Sequence, residues 1–239
     1  MAAPGRVRGR LGFGPVGPRR RRYTIGPEQL ASLHLPVGDD GVVIGEDDEG
    51  FPAVLGLNRP CPYEITLIGG LWTAQVFALR AAATGARIAV ETGRTHAWAG
   101  LARAGGDSGC LALHEVGRVP PLGPSAASPV LVVRDCGMRP PPGRAVSGPW
   151  QSVLTLLPYL GPAASGLVEK ASLVGVQRVS PDEAEEAGRL LRLPAGAVRA
   201  LPALADGATL WCTRRESRLV TTRATDAETG LLGAARRVD

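Results

Sequence analysis

A chain of 239 residues, 44% apolar and 21% charged, carries enough apolar side chains to bury a core; this excludes a disordered chain and fits one large α/β domain or two small ones. The net charge of +5 is unevenly placed, because residues 1–22 hold seven arginines (Arg6, Arg8, Arg10, Arg19, Arg20, Arg21 and Arg22) and no acid, leaving 20 basic against 22 acidic residues elsewhere. No apolar run reaches the ~18 residues of a membrane-spanning helix, and the longest, 71–83, is interrupted by Gln75 and Arg80.

Residues 1–22 read as a basic tail on a near-neutral body. Such a tail points to an anionic membrane surface through Arg19, Arg20, Arg21 and Arg22, or to a solubilising extension in which Gly and Pro forbid a helix. A nucleic-acid partner is not expected, since the body lacks a basic stripe. RRRR leads into YTIGPEQ rather than an apolar segment, so it is neither a secretory nor a twin-arginine signal, and the expected location is cytoplasmic, at most peripheral to the inner membrane face.

Residues 23–233 form one domain in this reading, and 234–239 a short C-terminal tail. Two short apolar runs at 41–45 and 53–57 around an acidic, glycine-containing turn predict a hairpin. YEITLI at 63–68 predicts a buried strand, and 71–83 a helix closed by Gly85. ARIAVE (86–91) predicts a second strand, 95–106 a short helix, and 110–116 and 129–135 two further strands. The segments 150–160 and 163–171 both predict helices, broken at Gly161-Pro162, before a strand at 173–179. Ser180, Pro181, Asp182 and Glu183 carry a capping box with proline at the first helical position, so a helix starts there. AGAVRALPAL predicts a short helix, and GATLWCT and RLVTTRAT two closing strands. The alternation gives an α/β domain: a mainly parallel sheet with helices on both faces, a three-layer Rossmann-like or P-loop-like arrangement.

The turn at Gly69-Gly70, between strand and helix, is where such folds hold phosphates. A P-loop counted from Gly69 puts Ala74, Gln75 and Val76 where the second glycine, lysine and hydroxyl belong, and counted from Gly70 it puts Gln75, Val76 and Phe77 there. The loop therefore has neither cation nor magnesium ligand. Asp135 stands where a Walker-B acid would, but Cys136 and Gly137 follow it and no glutamate is adjacent. The dinucleotide alternative uses Gly69 and Gly70 with Glu91, ~20 residues on, for the ribose hydroxyls. Against it, Leu71 occupies the second glycine position of that fingerprint. A purely structural role remains: the two glycines permit a sharp turn while Trp72 and Phe77 fill space against the sheet.

Other chemistry lacks its parts. Cys61, Cys110, Cys136 and Cys212 show no C-x-x-C spacing and read as buried free thiols. His34, His96 and His114 have no nucleophile placed beside them by a local motif, although His96 with Glu91 or Asp107 could form an acid–base pair. GEDDEG at 45–50 lacks calcium-loop spacing. No cofactor and no metal are expected.

The segments GVVIGEDDEGFPAVLGLNRP, YEITLIGGLWTAQVFALRAAATGARIAVETGR, PVLVVRDCG, GPWQSVLTLLPYL and VGVQRVSPDEAEEAGRLL together resemble the soluble domain of actinobacterial EccE-like type VII secretion proteins, over roughly residues 41–233. The layout is also similar to FtsK/HerA-type P-loop domains whose phosphate loop (69–76) and Walker-B strand (129–135) have lost their working side chains. The resemblance implies a non-catalytic scaffold at the cytosolic face of an export machine, in contact with its other proteins. Such proteins carry N-terminal membrane helices, and none is found here, so the expectation is a soluble paralogue or a chain with a preceding segment missing.

Overall fold

The computed structural model describes residues 41–105, 109–141, 146–162 and 164–237. His34, Asp107 and the arginines of residues 1–22 lie outside them. Strands β1 (Val42–Asp47), β2 (Pro52–Leu55), β3 (Tyr63–Ile68), β4 (Arg87–Thr92), β5 (Leu111–His114), β6 (Val130–Asp135), β7 (Gln151–Leu157), β8 (Leu173–Val176), β9 (Ala208–Cys212) and β10 (Ser217–Thr221) form one sheet in the order β2-β1-β10-β9-β8-β3-β7-β6-β4-β5. From β8 to β5 every pairing is parallel, and from β8 through β9, β10 and β1 to β2 every pairing is antiparallel.

Helices α1 (Leu71–Ala83), α2 (Thr95–Ala104) and α6 (Asp226–Leu232) cover one face; α3 (Ala164–Lys170), α4 (Pro181–Leu191) and α5 (Ala195–Ala200) cover the other. Alternation along the parallel strands assigns the two cores. Leu67, Val90, Val133 and Leu156 pack under Trp72, Phe77 and Trp98, while Ile68, Leu157 and Val176 pack under Val168, Ala184 and Leu201. At the β4–β6 side the second face is covered by the segment carrying Val119 and Leu122, over Ala89, Val130, Val132 and Val153. The α/β three-layer expectation is met. The strand order is not that of a dinucleotide fold, in which the first two strands are neighbours; here β7 and β6 separate β3 from β4.

One element differs in kind. Residues 150–160, expected to be helical, contain strand β7, all but one of whose residues are buried. A strand covered on both faces shows a continuous apolar run rather than alternation, and leucines at three- and four-residue spacing imitate a helix. Trp150, with φ of 62°, turns the chain into the sheet, and its N–H donates to the Arg59 carbonyl at 2.6 Å. Elsewhere local rules held. Gly85 (φ +93°) ends α1, and the Ser180–Glu183 capping box opens α4, with Glu183 Oε1 also accepting from the Leu160 N–H at 2.8 Å.

Helix α6 was not anticipated, although Thr225 and Glu228 form a second capping box. It is held from α1: Arg80 donates to Glu228 through Nε (2.7 Å) and Nη2 (2.9 Å), and to the carbonyls of Val43 (2.9 Å) and Arg223 (2.6 Å). One guanidinium thus joins α1, β1, the β10–α6 connection and α6. The Arg80 hydrogen bonds hold the Glu228 carboxyl below the usual carboxylate range, against the opposing effect of burial. A lowered folded-state value means that this contribution is present above the ordinary carboxylate pKa of ~4.3 and is lost as pH falls through the folded value. Arg80→Met leaves the carboxylate buried without its partner, and the expected cost is about 3 kcal/mol, read as a lower urea midpoint at pH 7. Glu228→Gln should cost less and should flatten the acid limb of the stability profile. An unchanged midpoint in Arg80→Met would contradict this assignment.

Candidate functional site

Helix α1 begins at the carboxyl end of β3, where its first backbone N–H groups lack helical partners and would attract an anion. Gly70 is the N-cap, extended at φ −83° and ψ 157°, and has no side chain with which to cap. The cap comes from β8's end instead. Buried Gln177 accepts the Gly70 N–H through Oε1 at 2.7 Å, and its Nε2 donates to the hydroxyls of Thr73 (2.6 Å) and Thr209 (3.2 Å). A neutral amide oxygen thereby sits where a phosphate oxygen would be expected.

The space beyond is occupied by residues 233–237, which run back over the turn. A Cβ added at Gly70 would stand 2.7 Å from the Arg237 carbonyl oxygen and 3.0 Å from that of Arg236. A Cβ at Gly69 would meet Gln177 Oε1 at 2.5 Å. Arg237 donates from Nε to the Arg178 carbonyl (2.9 Å) and from Nη2 to the Pro158 carbonyl (2.6 Å), lacing the ends of β7 and β8 together, and Trp72 Nε1 donates to the Gly233 carbonyl at 3.1 Å. The glycines are required by these close approaches, the same property that would admit a phosphate to the backbone.

Further along α1, the positions where a phosphate loop carries its cation and hydroxyl belong to the core. Gln75 is buried and donates to the Ala97 carbonyl at 2.7 Å, tying α1 to α2, while Val76 and Phe77 are fully enclosed. Leu71 and Trp72 are buried as well, so the space-filling expectation for Trp72 and Phe77 matches the packing.

Asp135 does lie at the carboxyl end of β6, two strands from β3, with its carboxylate engaged by protein groups. Arg94 binds it through Nε (2.9 Å) and Nη2 (3.0 Å), Thr92 Oγ1 donates at 3.1 Å and Trp98 Nε1 at 2.9 Å. Three of these donors converge on Oδ2 and Arg94 also takes Oδ1, so the carboxylate is engaged at both oxygens. A shallow cleft of about 360 Å³ beside it is lined by Gly93, Arg94, Val116, Asp135, Cys136, Gly137 and Pro158.

Glu91 is not brought to the Gly69 turn. It accepts from Arg134 Nε at 2.7 Å and from the Gly117 N–H of the 115–124 segment at 2.8 Å, and points to the sheet face opposite Asp135. His96 is exposed on α2, and His114 Nε2 is buried without a partner among the described residues. The thiols also depart from expectation: Cys212 is buried, Cys110 and Cys136 are partly buried, and Cys61 is exposed. Burial pushes the thiols of Cys136 and Cys212 up to about 12, which leaves them inert as nucleophiles at neutral pH. Among the described residues no cluster of His, Cys, Asp and Glu could hold a metal ion, and no helix is long and apolar enough to cross a membrane.

The residues that close the turn, Gln177 and Arg237, were not found from sequence. Gln177 lies 107 positions from Gly70, and an isolated Gln or Arg beside an apolar run carries no motif.

No protein-family model matches the chain, and no curated protein does. Solved structures do. VirB4 of Thermoanaerobacter pseudethanolicus superimposes with a TM-score of 0.54 at 9% identity, over 80% of this chain and 99% of that one. Thermomonospora curvata EccC (ATPases 2 and 3), solved with a signal sequence peptide, gives 0.43 at 15% identity, over 89% of this chain and 46% of that one. The cytoplasmic domain of EssC gives 0.45 at 9% identity, over 82% and 45%. The chain spans about half the length of these last two. Its fold is an α/β, P-loop-like fold shared with VirB4.

The cap and the strap make separable predictions. Gln177→Leu leaves the Gly70 N–H and two threonine hydroxyls unpaired, and should cost about 2–3 kcal/mol in urea denaturation. Gly70→Ala drives a methyl into the Arg236 and Arg237 carbonyls, and should free the strap so that trypsin trims the chain at Arg236 faster than in the parent. An unchanged trimming rate would mean that the strap does not depend on the glycine.

Proposed function

We propose that the chain is a non-catalytic scaffold or accessory component of a type VII secretion apparatus, of the EccE-like kind, at the cytosolic face of the membrane, with no cofactor and with other proteins of the apparatus as partners. The observation that carries the non-catalytic part is the occupied N-terminus of α1: Gln177 Oε1 on the Gly70 N–H and the Arg236–Arg237 carbonyls over the turn. Asp135, engaged at both oxygens, and inward-facing Gln75 agree with it. The secretion part draws on the fold shared with VirB4 and on the sequence segments resembling EccE-like proteins. Arg19, Arg20, Arg21 and Arg22 supply the contact with anionic lipid, each worth on the order of 1 kcal/mol at the surface, enough for reversible association.

The dinucleotide reading gains no support, because Glu91 is committed to Arg134 and faces away. Thermal unfolding with ATP–Mg, GTP, NAD, NADP or FAD should show no stabilisation, whereas a ligand at a hundred times its Kd would add ~2.7 kcal/mol. A reproducible upward shift with any of them would overturn the non-catalytic reading. In cells, affinity capture after crosslinking should recover components of the export machine; recovery of none would remove the secretion assignment. Replacing Arg19, Arg20, Arg21 and Arg22 with Gln should weaken retention on anionic vesicles.

A further inference from the structure

The amino ends of the strands lie opposite the closed turn, and there the surface has a different character. The β9–β10 hairpin turn projects beside the end of α3. Thr213 shapes it: its hydroxyl accepts from the N–H groups of Arg215 and Glu216, both at 3.2 Å, and its own N–H donates to the Glu216 carbonyl at 2.9 Å. Arg214 Nη2 reaches the Glu169 carbonyl at 3.4 Å, so the turn is tied to the last turn of α3. On the other side, the Ser172 N–H donates to the Glu64 carbonyl at 2.8 Å and sets the entry to β8.

Between these two fixed segments lies an open depression of about 320 Å³, lined by Lys170, Ala171, Ser172, Thr213, Arg214 and Arg215. Three cations and two hydroxyl-bearing residues line it and no carboxylate does; Glu169 and Glu216, adjacent in sequence, are not among its walls. The helix terminus accounts for Arg214. Lys170 ends α3 and suits its negative end as well, but the side chains of Lys170 and Arg215 are exposed and form no ion pair or hydrogen bond among the described residues, so both stay open to a ligand. In a body whose charge is otherwise balanced, cations gathered on two separately anchored segments match a tetrahedral oxyanion, for which guanidinium forks and an ammonium are the complementary groups.

We propose that this depression is a phosphate-recognition site, taking the phosphoryl group of an anionic phospholipid headgroup or of a free phosphate. Exposed Val146 favours the bilayer source, since it lies at the same end of the sheet: Ser147 beside it donates to Glu64 Oε1 at 3.1 Å, on the residue whose carbonyl holds Ser172. An exposed apolar side chain at the same end of the sheet as the cations suits an interface. The site stands independently of the scaffold reading.

The test uses the full chain with its basic residues 1–22 unchanged, so that only the depression varies. Lys170→Gln combined with Arg215→Gln removes two cations and leaves Arg214 on α3. Binding is measured to phosphatidylcholine vesicles with and without phosphatidylglycerol by flotation, and to inorganic phosphate by calorimetry. Loss of two surface cations should weaken vesicle binding ~10-fold or more, with the difference shrinking at high salt. Weaker vesicle binding assigns the lipid source, and weaker phosphate binding with unchanged vesicle binding assigns the free anion. Equal binding of parent and double variant to both ligands overturns the proposal.

Discussion

A single buried amide governs the carboxyl end of this sheet. Gln177 gives its oxygen to the first free N–H of α1 and its nitrogen to two threonine hydroxyls, one on α1 and one on β9. The N-cap N–H is therefore satisfied from within the protein, by a neutral group. Its oxygen falls where a Cβ at Gly69 would stand, so the glycine, the glutamine and the extended Gly70 are mutually required. Beta-strand β8 is held beside β3 by that requirement as well as by its ladder, and the strap at 233–237 can lie flat only because Gly70 presents no side chain.

The period of two along a strand decides what the acids at the strand ends can do. Glu91 and Asp135 are both acidic, both buried and both at carboxyl ends of parallel strands, yet the register pairs Glu91 with Arg134 and Thr92 with Asp135. The two carboxylates consequently point to opposite faces, each to its own arginine. They cannot share a ligand. The β3-β7-β6-β4 order separates both from the Gly69 turn, so acids that a linear reading brings near a glycine loop become two structural ion pairs.

Sequence showed most of the scaffold, because hairpin, helix ends and alternating elements are written locally: the acidic turn at 45–50, Gly85 after α1, and Ser180 with Glu183 before α4. It misread β7, where burial on both faces erases the period that separates strand from helix. It passed over α6 although Thr225 and Glu228 repeat the pattern recognised at Ser180. The missing lysine and hydroxyl of a phosphate loop were legible at Gln75, Val76 and Phe77, since they are a matter of residue identity. What lies over the loop was not, since Gln177 reaches Gly70 across 107 positions and Arg237 reaches Pro158 across 79, through contacts that no local pattern encodes.

In open α/β sheets, ligands ordinarily meet the carboxyl ends of the strands, and here the part of that end beside the Gly69 turn is laced by Arg237 between Pro158 and Arg178, while the shallow cleft at Asp135 stays open. At the amino ends, the depression between α3 and the β9–β10 turn gathers Lys170, Arg214 and Arg215, and Lys170 and Arg215 have no ion pair among the described residues. The Gly70 N–H is spent on the protein's own Gln177 side chain, within a three-layer frame. Recognition by such a molecule must run through its outer surfaces, where charge can be gathered on hairpin tips and helix ends without disturbing the core.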